Sequence, residues 1–152
     1  MLKLKKILYP TDFSEASLEA LKYATSLARS CESKLILMHV VNEKIFSEGL
    51  SLARISAPEA LGQELAKEAA RQLKMLITAE DRPGLELEMV ILHGNPSLEV
   101  IRYAKEHKVD MIVIGTAGRS GVEHMMFGST AEKVVRGAQC PVLSVKPAAA
   151  TD

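Results

Sequence analysis

A chain of 152 residues fits one domain, and a domain of that size buries roughly 70% of the surface its unfolded form exposes, enough for a sheet-centred core. Apolar residues make up 47% and charged residues 25%, and the 19 basic side chains balance the 19 acidic ones, so no general electrostatic pull toward nucleic acid or anionic lipid is expected. No run approaches the roughly eighteen apolar residues of a membrane span, and the opening ten residues lack the apolar core and cleavage site of a signal peptide, which points to the cytoplasm.

In chain order, Lys6–Tyr9 reads as a first strand stopped by Pro10. Asp12 or Ser14 then caps a helix whose apolar positions Leu18, Leu21, Ala24, Leu27 and Ala28 recur at helical spacing, ending near Cys31. Leu35–Val41 is nearly continuous in apolar residues, as in a strand covered on both faces. The irregular stretch 42–57 reads as a long connection. Ser56, Pro58 and Glu59 suit the start of a second helix running to about Thr78. Asp81-Arg82-Pro83-Gly84 makes a turn, and the alternation in Leu85–Val90 predicts a third strand at a sheet edge, with Glu86 and Glu88 on one face and the leucines and Met89 on the other. Asn95 and Pro96 start a third helix with Val100, Ile101 and Ala104 buried. Val109–Ile114 is a fourth strand, Ser129–Arg136 a helix ended by Gly137, and Pro141–Val145 a fifth strand. Strands alternating with helices predict a doubly wound α/β domain over residues 1–147, helices on both faces of a five-stranded parallel sheet, with a disordered tail at 148–152.

In such sheets ligands bind beyond the carboxyl ends of the strands, where successive crossovers diverge. There the sequence has Pro10-Thr11-Asp12 after the first strand and Gly115-Thr116-Ala117-Gly118-Arg119 after the fourth, followed by Gly128-Ser129-Thr130 at a helix start. Glycines admit a polyphosphate close to backbone N–H groups, and the helix start supplies unpaired N–H and hydroxyl donors. The spacing lacks a P-loop lysine, and no GxGxxG follows the first strand. On the residues alone, Asp12, Ser129 and Thr130 are readable as caps, Gly115 and Gly118 as a turn, and Arg119 as a solvated cation. His39, His93, His107 and His124 sit in unrelated contexts and predict no metal site, and no serine or cysteine has the setting of a catalytic nucleophile. Cys31 and Cys140 read as reduced thiols. Met125-Met126-Phe127 reads as packing under the loop or as an apolar contact for a partner.

Taken together, Ile7–Ser14, Gly94-Asn95-Pro96, Asp110–Gly115, Gly128–Val134 and Cys140–Val145 resemble the universal stress protein family in its ATP-binding branch, over almost the whole chain. The resemblance implies an adenine nucleotide α-hydrolase-like fold with strand order 3-2-1-4-5. It also implies ATP, with or without Mg or Mn, as ligand. On it, Pro10, Thr11 and Asp12 line the adenosine side, the backbone near Val40 meets adenine, and Gly115, Gly118, Arg119, Gly128, Ser129 and Thr130 surround ribose and phosphates. Ala131 stands where some ATP-binding relatives carry a hydroxyl. The implied role is ATP binding in a stress or regulatory function with an unidentified protein partner. A slow ATPase or adenylate-forming enzyme, and a nucleotide-independent interaction module, are the alternatives. The last strand, Pro141-Val142-Leu143-Ser144-Val145, has no charge of its own, and together with the resemblance this implies a homodimer paired along it.

Overall fold

The computed structural model describes residues 1–42, 58–116 and 128–147. Among the described residues, five strands and four helices alternate: β1 (Lys6–Pro10), α1 (Glu15–Cys31), β2 (Lys34–Val41), α2 (Pro58–Leu76), β3 (Glu86–His93), α3 (Pro96–Glu106), β4 (Met111–Gly115), α4 (Ser129–Gly137) and β5 (Val142–Val145). The strands form one sheet in the order β3-β2-β1-β4-β5, and every pairing is parallel. Sequence-distant β1 and β4 lie side by side, with Ile7 opposite Met111 and Leu8 opposite Ile112. Below that register the Asp110 carboxylate accepts from the backbone N–H groups of Lys5 and Lys6 at 2.8 and 2.9 Å, locking the start of one strand to the start of the other.

The period-two alternation of each strand feeds two cores. Ile7, Tyr9, Leu35, Leu37, Val113 and Val145 pack under α1 and α2 against Ala20, Ala24, Ala28, Leu73 and Ile77. Leu8, Ile36, Met38, Val40, Ile112 and Ile114 pack under α3 and α4 against Val100, Tyr103, Ala104, Ala131 and Val134.

Several sequence expectations shift in detail. Leu18, which the helical spacing predicts to be buried, is 42% exposed, and the stripe that faces the sheet is Ala16, Ala20, Ala24 and Ala28. Small residues at every fourth position let α1 lie close on the sheet, and at Gly115 the two backbones leave no room for a side chain. A Cβ there would sit 2.7 Å from the Ala16 carbonyl carbon and 2.8 Å from its oxygen. Pro10 is the last residue of β1 rather than the stop before it, since a strand end tolerates the missing N–H. The third strand runs Glu86–His93 instead of Leu85–Val90 and does lie at an edge. Val90 and Leu92, on the face carrying Glu86 and Glu88, pack on the core under α3 and α4, so that face is charged only at its beginning, where Glu88 pairs with Lys34 at 3.0 Å. Met89 shares a face with Leu87 yet is 36% exposed, as an edge position allows. Gly137 is the last residue of α4, and the cap beyond it is Ala138; a Cβ at Gly137 would meet the Ile101 Cδ1 at 2.6 Å, so this glycine serves close packing of α4 on α3. Ser56, the tail and Met125-Met126-Phe127 lie outside the described residues. Cys31 and Cys140 are free thiols.

Two glycines give opposite predictions. Gly115→Ala drives a Cβ into the α1 backbone and lowers stability by about 1–3 kcal/mol. Gly62→Ala, inside α2 with nothing within 4 Å of the new methyl, raises it by about 0.5–1 kcal/mol. Urea unfolding of the two variants measures both signs.

Candidate functional site

At the carboxyl ends of β1 and β4 the chain parts: β1 leads into α1 on one face, while the helix after β4 covers the other. The gap opens as a cleft of about 660 Å³. Eight residues singled out from the sequence line it: Pro10, Thr11, Asp12, Val40, Gly115, Gly128, Ser129 and Thr130. They come from three strand ends and one helix start. Gly118 and Arg119 lie outside the described residues.

The first wall is the turn after β1. Thr11 N–H donates to the Met38 carbonyl at 2.8 Å, extending the β1–β2 ladder by one bond, and Thr11 C=O accepts from the His39 Nδ1 at 2.8 Å. A carbonyl can only accept, so this contact puts the His39 proton on Nδ1. The His39 ring stacks on Phe13 at 4.8 Å between centroids, and Phe13 itself has φ +66°, a left-handed conformation costly for an aromatic residue and held here by its neighbours. Ser14 caps α1 by accepting from Ser17 N–H at 3.3 Å. The two capping readings left open by the sequence are thereby separated. Ser14 is the cap, and Asp12 stays in the cleft wall, its Oδ1 accepting from Ser14 N–H at 3.0 Å.

Behind this turn runs a chain of buried hydroxyls. Tyr9 OH donates to the Ser17 carbonyl at 2.6 Å and lies 2.9 Å from the Ser17 hydroxyl, which in turn contacts the Thr11 hydroxyl. Tyr9 has one proton and gives it to the carbonyl, so Ser17 must donate to Tyr9 and Thr11 must donate to Ser17. The Thr11 oxygen accepts from Phe13 N–H at 2.9 Å. Burial, with the Asp12 charge adding, pushes the Tyr9 hydroxyl above its ordinary pKa, against the opposing effect of the Ser17 and Thr11 hydroxyls.

The second wall joins β4 to α4. Gly115 borders the cleft, but its missing Cβ is required by the α1 backbone rather than by a ligand. Thr116 N–H donates to the Val145 carbonyl at 2.9 Å, and its own carbonyl accepts from Gly128 N–H. Three helices begin at the cleft. Ser14 caps α1 and Asn95 caps α3 with side-chain hydrogen bonds, whereas Gly128, the cap of α4, makes none. The first-turn N–H groups of α4, at Ser129, Thr130 and Ala131, thus carry the positive end of a helix dipole into the cleft without a capping side chain. Ala131 is buried in the core beneath this turn as well as bordering the cleft.

Sequence reasoning missed the third wall. Leu65, Glu68, Ala69 and Gln72 of α2 also line the cleft. Ala69 and Leu73 form the buried stripe of that helix, continued just past its end by Ile77, and Leu65, one turn earlier on the same stripe, overhangs the sheet end at 39% exposure. Arg71 and then Gln72, by hydrogen bonding to Glu68, hold its carboxyl at about 2, so it is an ionised acceptor. Asp12 and Glu68 are the charged residues among the described lining, and no described group of three His, Cys, Asp or Glu is placed to hold a metal. No described helix is long and apolar enough to cross a membrane.

The model of the universal stress protein family matches residues 3–146. Universal stress protein MJ0531 of Methanocaldococcus jannaschii is 35% identical over 142 residues, covering 93% of this chain and 82% of that one. Universal stress protein MJ0577 of the same organism is 31% identical over 153 residues, 93% of this chain and 94% of that one. The solved structure of MJ0577 matches with a TM-score of 0.85 at 29% identity, over 98% of this chain and 100% of that chain. A family protein of Arabidopsis thaliana, crystallised with AMP bound, shares the fold at a TM-score of 0.58 and 20% identity, over 95% of this chain and 93% of that chain.

The buried hydroxyl chain yields a pH prediction. A folded-state pKa raised above the unfolded value of about 10 gives stability that is fully present below that value and is lost as pH climbs through the folded pKa. The Tyr9 contribution to the unfolding free energy is therefore constant to about pH 10 and falls above it. Tyr9→Phe lowers stability by about 1 kcal/mol at neutral pH and falls less above pH 10, which chemical denaturation across pH measures.

Proposed function

We propose that the cleft binds ATP: the chain belongs to the universal stress protein family, and the size and lining of the cleft support such a ligand. The observation that carries this reading is convergence. Pro10-Thr11-Asp12, Val40 and Gly128-Ser129-Thr130, far apart in the sequence, border one cavity of a size usual for small-ligand sites, at the switch point of the sheet. The adenosine end lies toward Val40 and the turn after β1, and the phosphates lie at the α4 start, the one of the three helix starts without a side-chain cap. Gly118 and Arg119 join the phosphate end on the sequence reading. Mg or Mn, if it accompanies ATP, is held chiefly by the phosphates, because Asp12 is the lone carboxylate of the described wall at the turn after β1. The nucleotide-bound state serves as the signal in a stress or regulatory role. The reading places the protein in the cytoplasm, where thiols such as Cys31 and Cys140 stay reduced.

Titration calorimetry tests it, with a dissociation constant in the micromolar range, roughly −8 kcal/mol, expected for ATP. No heat and no displacement of a fluorescent ATP analogue up to millimolar ATP would overturn it. Thr130→Asp puts a negative charge in the first turn of α4, which favours the helix dipole but repels phosphate. It leaves the thermal midpoint unchanged or raised and weakens ATP binding by about tenfold or more.

We also propose a homodimer joined along β5. Among the described residues this strand pairs only with β4, and Val142–Val145 presents no charge at its outer edge. Light scattering at micromolar concentration gives the mass of two chains, and Val142→Asp with Leu143→Lys gives that of one.

A further inference from the structure

Two threonines that line the cleft are almost wholly buried, Thr11 at 7% exposure and Thr116 at 2%. Burying a hydroxyl without a hydrogen bond costs stability, so the partner of each is informative.

Thr11 is spent on the protein. Its hydroxyl proton goes to Ser17, its oxygen accepts from Phe13 N–H, and its backbone is tied to Met38 and His39. It has no proton left for a ligand. Thr116 is the opposite case. Its N–H and C=O are used by Val145 and Gly128, but its hydroxyl has no partner among the described residues. No described side-chain polar atom that is fully shut off lacks a partner, so the Thr116 hydroxyl keeps its small exposure, and the space it borders is the cleft. It stands one hydrogen bond from Gly128, beside the N–H groups of α4 that no side chain caps.

We infer that Thr116, rather than Thr11, is the threonine whose hydroxyl contacts the nucleotide, donating to a phosphate oxygen seated at the start of α4, while Thr11 is a positioning residue that shapes the turn carrying Asp12. This rests on the reading of the cleft as an ATP site. A hydroxyl held ready in a nearly dry wall meets its partner only when an anion arrives, and hydrogen bonds to charged acceptors are stronger than neutral ones.

The test compares Thr116→Val, Thr116→Ser and Thr11→Val with the parent for apo stability and for affinity toward ATP and adenosine. Thr116→Val removes a hydroxyl that has no protein partner, so the apo midpoint stays unchanged or rises. Its ATP affinity falls about tenfold or more, and its adenosine affinity stays within about twofold. Thr116→Ser keeps the hydroxyl and binds ATP nearly as the parent does. Thr11→Val is less stable and loses ATP and adenosine by a similar factor. Equal ATP binding by Thr116→Val and the parent, an equal loss for ATP and adenosine in Thr116→Val, or a loss of its apo stability overturns the assignment of Thr116 alone. A loss confined to ATP in a fully stable Thr11→Val overturns the division of roles. A parent protein that binds neither nucleotide nor nucleoside overturns the ATP reading itself.

Discussion

The parallel pairing of β1 with β4 is the constraint on which the cleft depends. It sets two strand ends beside each other although about a hundred residues separate them, and it does so at the point where the next helices depart to opposite faces. The pairing is held from below by the Asp110 carboxylate on the Lys5 and Lys6 N–H groups, and from above by the close seating of α1 on Gly115. A side chain at Gly115 would push α1 away from β4, and the wall carrying Asp12, Ser14 and Ser17 moves with that helix. The glycine is needed for packing first, and the ligand space follows from the packing.

The distribution of helix caps then gives the cleft a polarity. A helix start leaves N–H groups unpaired, and a side-chain cap consumes some of them. Ser14 and Asn95 do this for α1 and α3, while Gly128 leaves α4 to be satisfied from the cleft. Since the described lining contributes carboxylates at Asp12 and Glu68 and no lysine or arginine, the α4 start is its most favourable place for an anion. The acceptor groups at Asp12 and Glu68 suit the amino-bearing end of a ligand instead.

Much of this was legible in the sequence because it is local. Apolar runs, helical spacing and the cap residues Ser14 and Asn95 each act over a few positions, so the alternation of strands and helices, the parallel sheet and β3 at an edge follow from them. The glycine and hydroxyl clusters after β1 and β4 were visible as unusual chemistry at strand ends, and family resemblance supplied the strand order. Boundaries were less well set where neighbours decide: the extension of β3 to His93 is paid for by pairing with β2 through Val41, which no local pattern announces.

The tertiary structure decided what each of those residues does. Leu18 and Ala20 both fit a buried helix face, and only the tight fit of α1 on the sheet selects the alanine. Leu65 and Leu73 share one stripe of α2, and only the length of β2 beneath them makes one a cleft residue and the other core. Thr11 and Thr116 are alike in type and in place after a strand. Their roles part because the path of α1 brings Ser17 to one hydroxyl and leaves the other facing the cleft. Sequence fixes which groups can donate, accept or pack, since that is a property of each side chain; which of them still has something to offer a ligand depends on the partners the fold has already assigned to it.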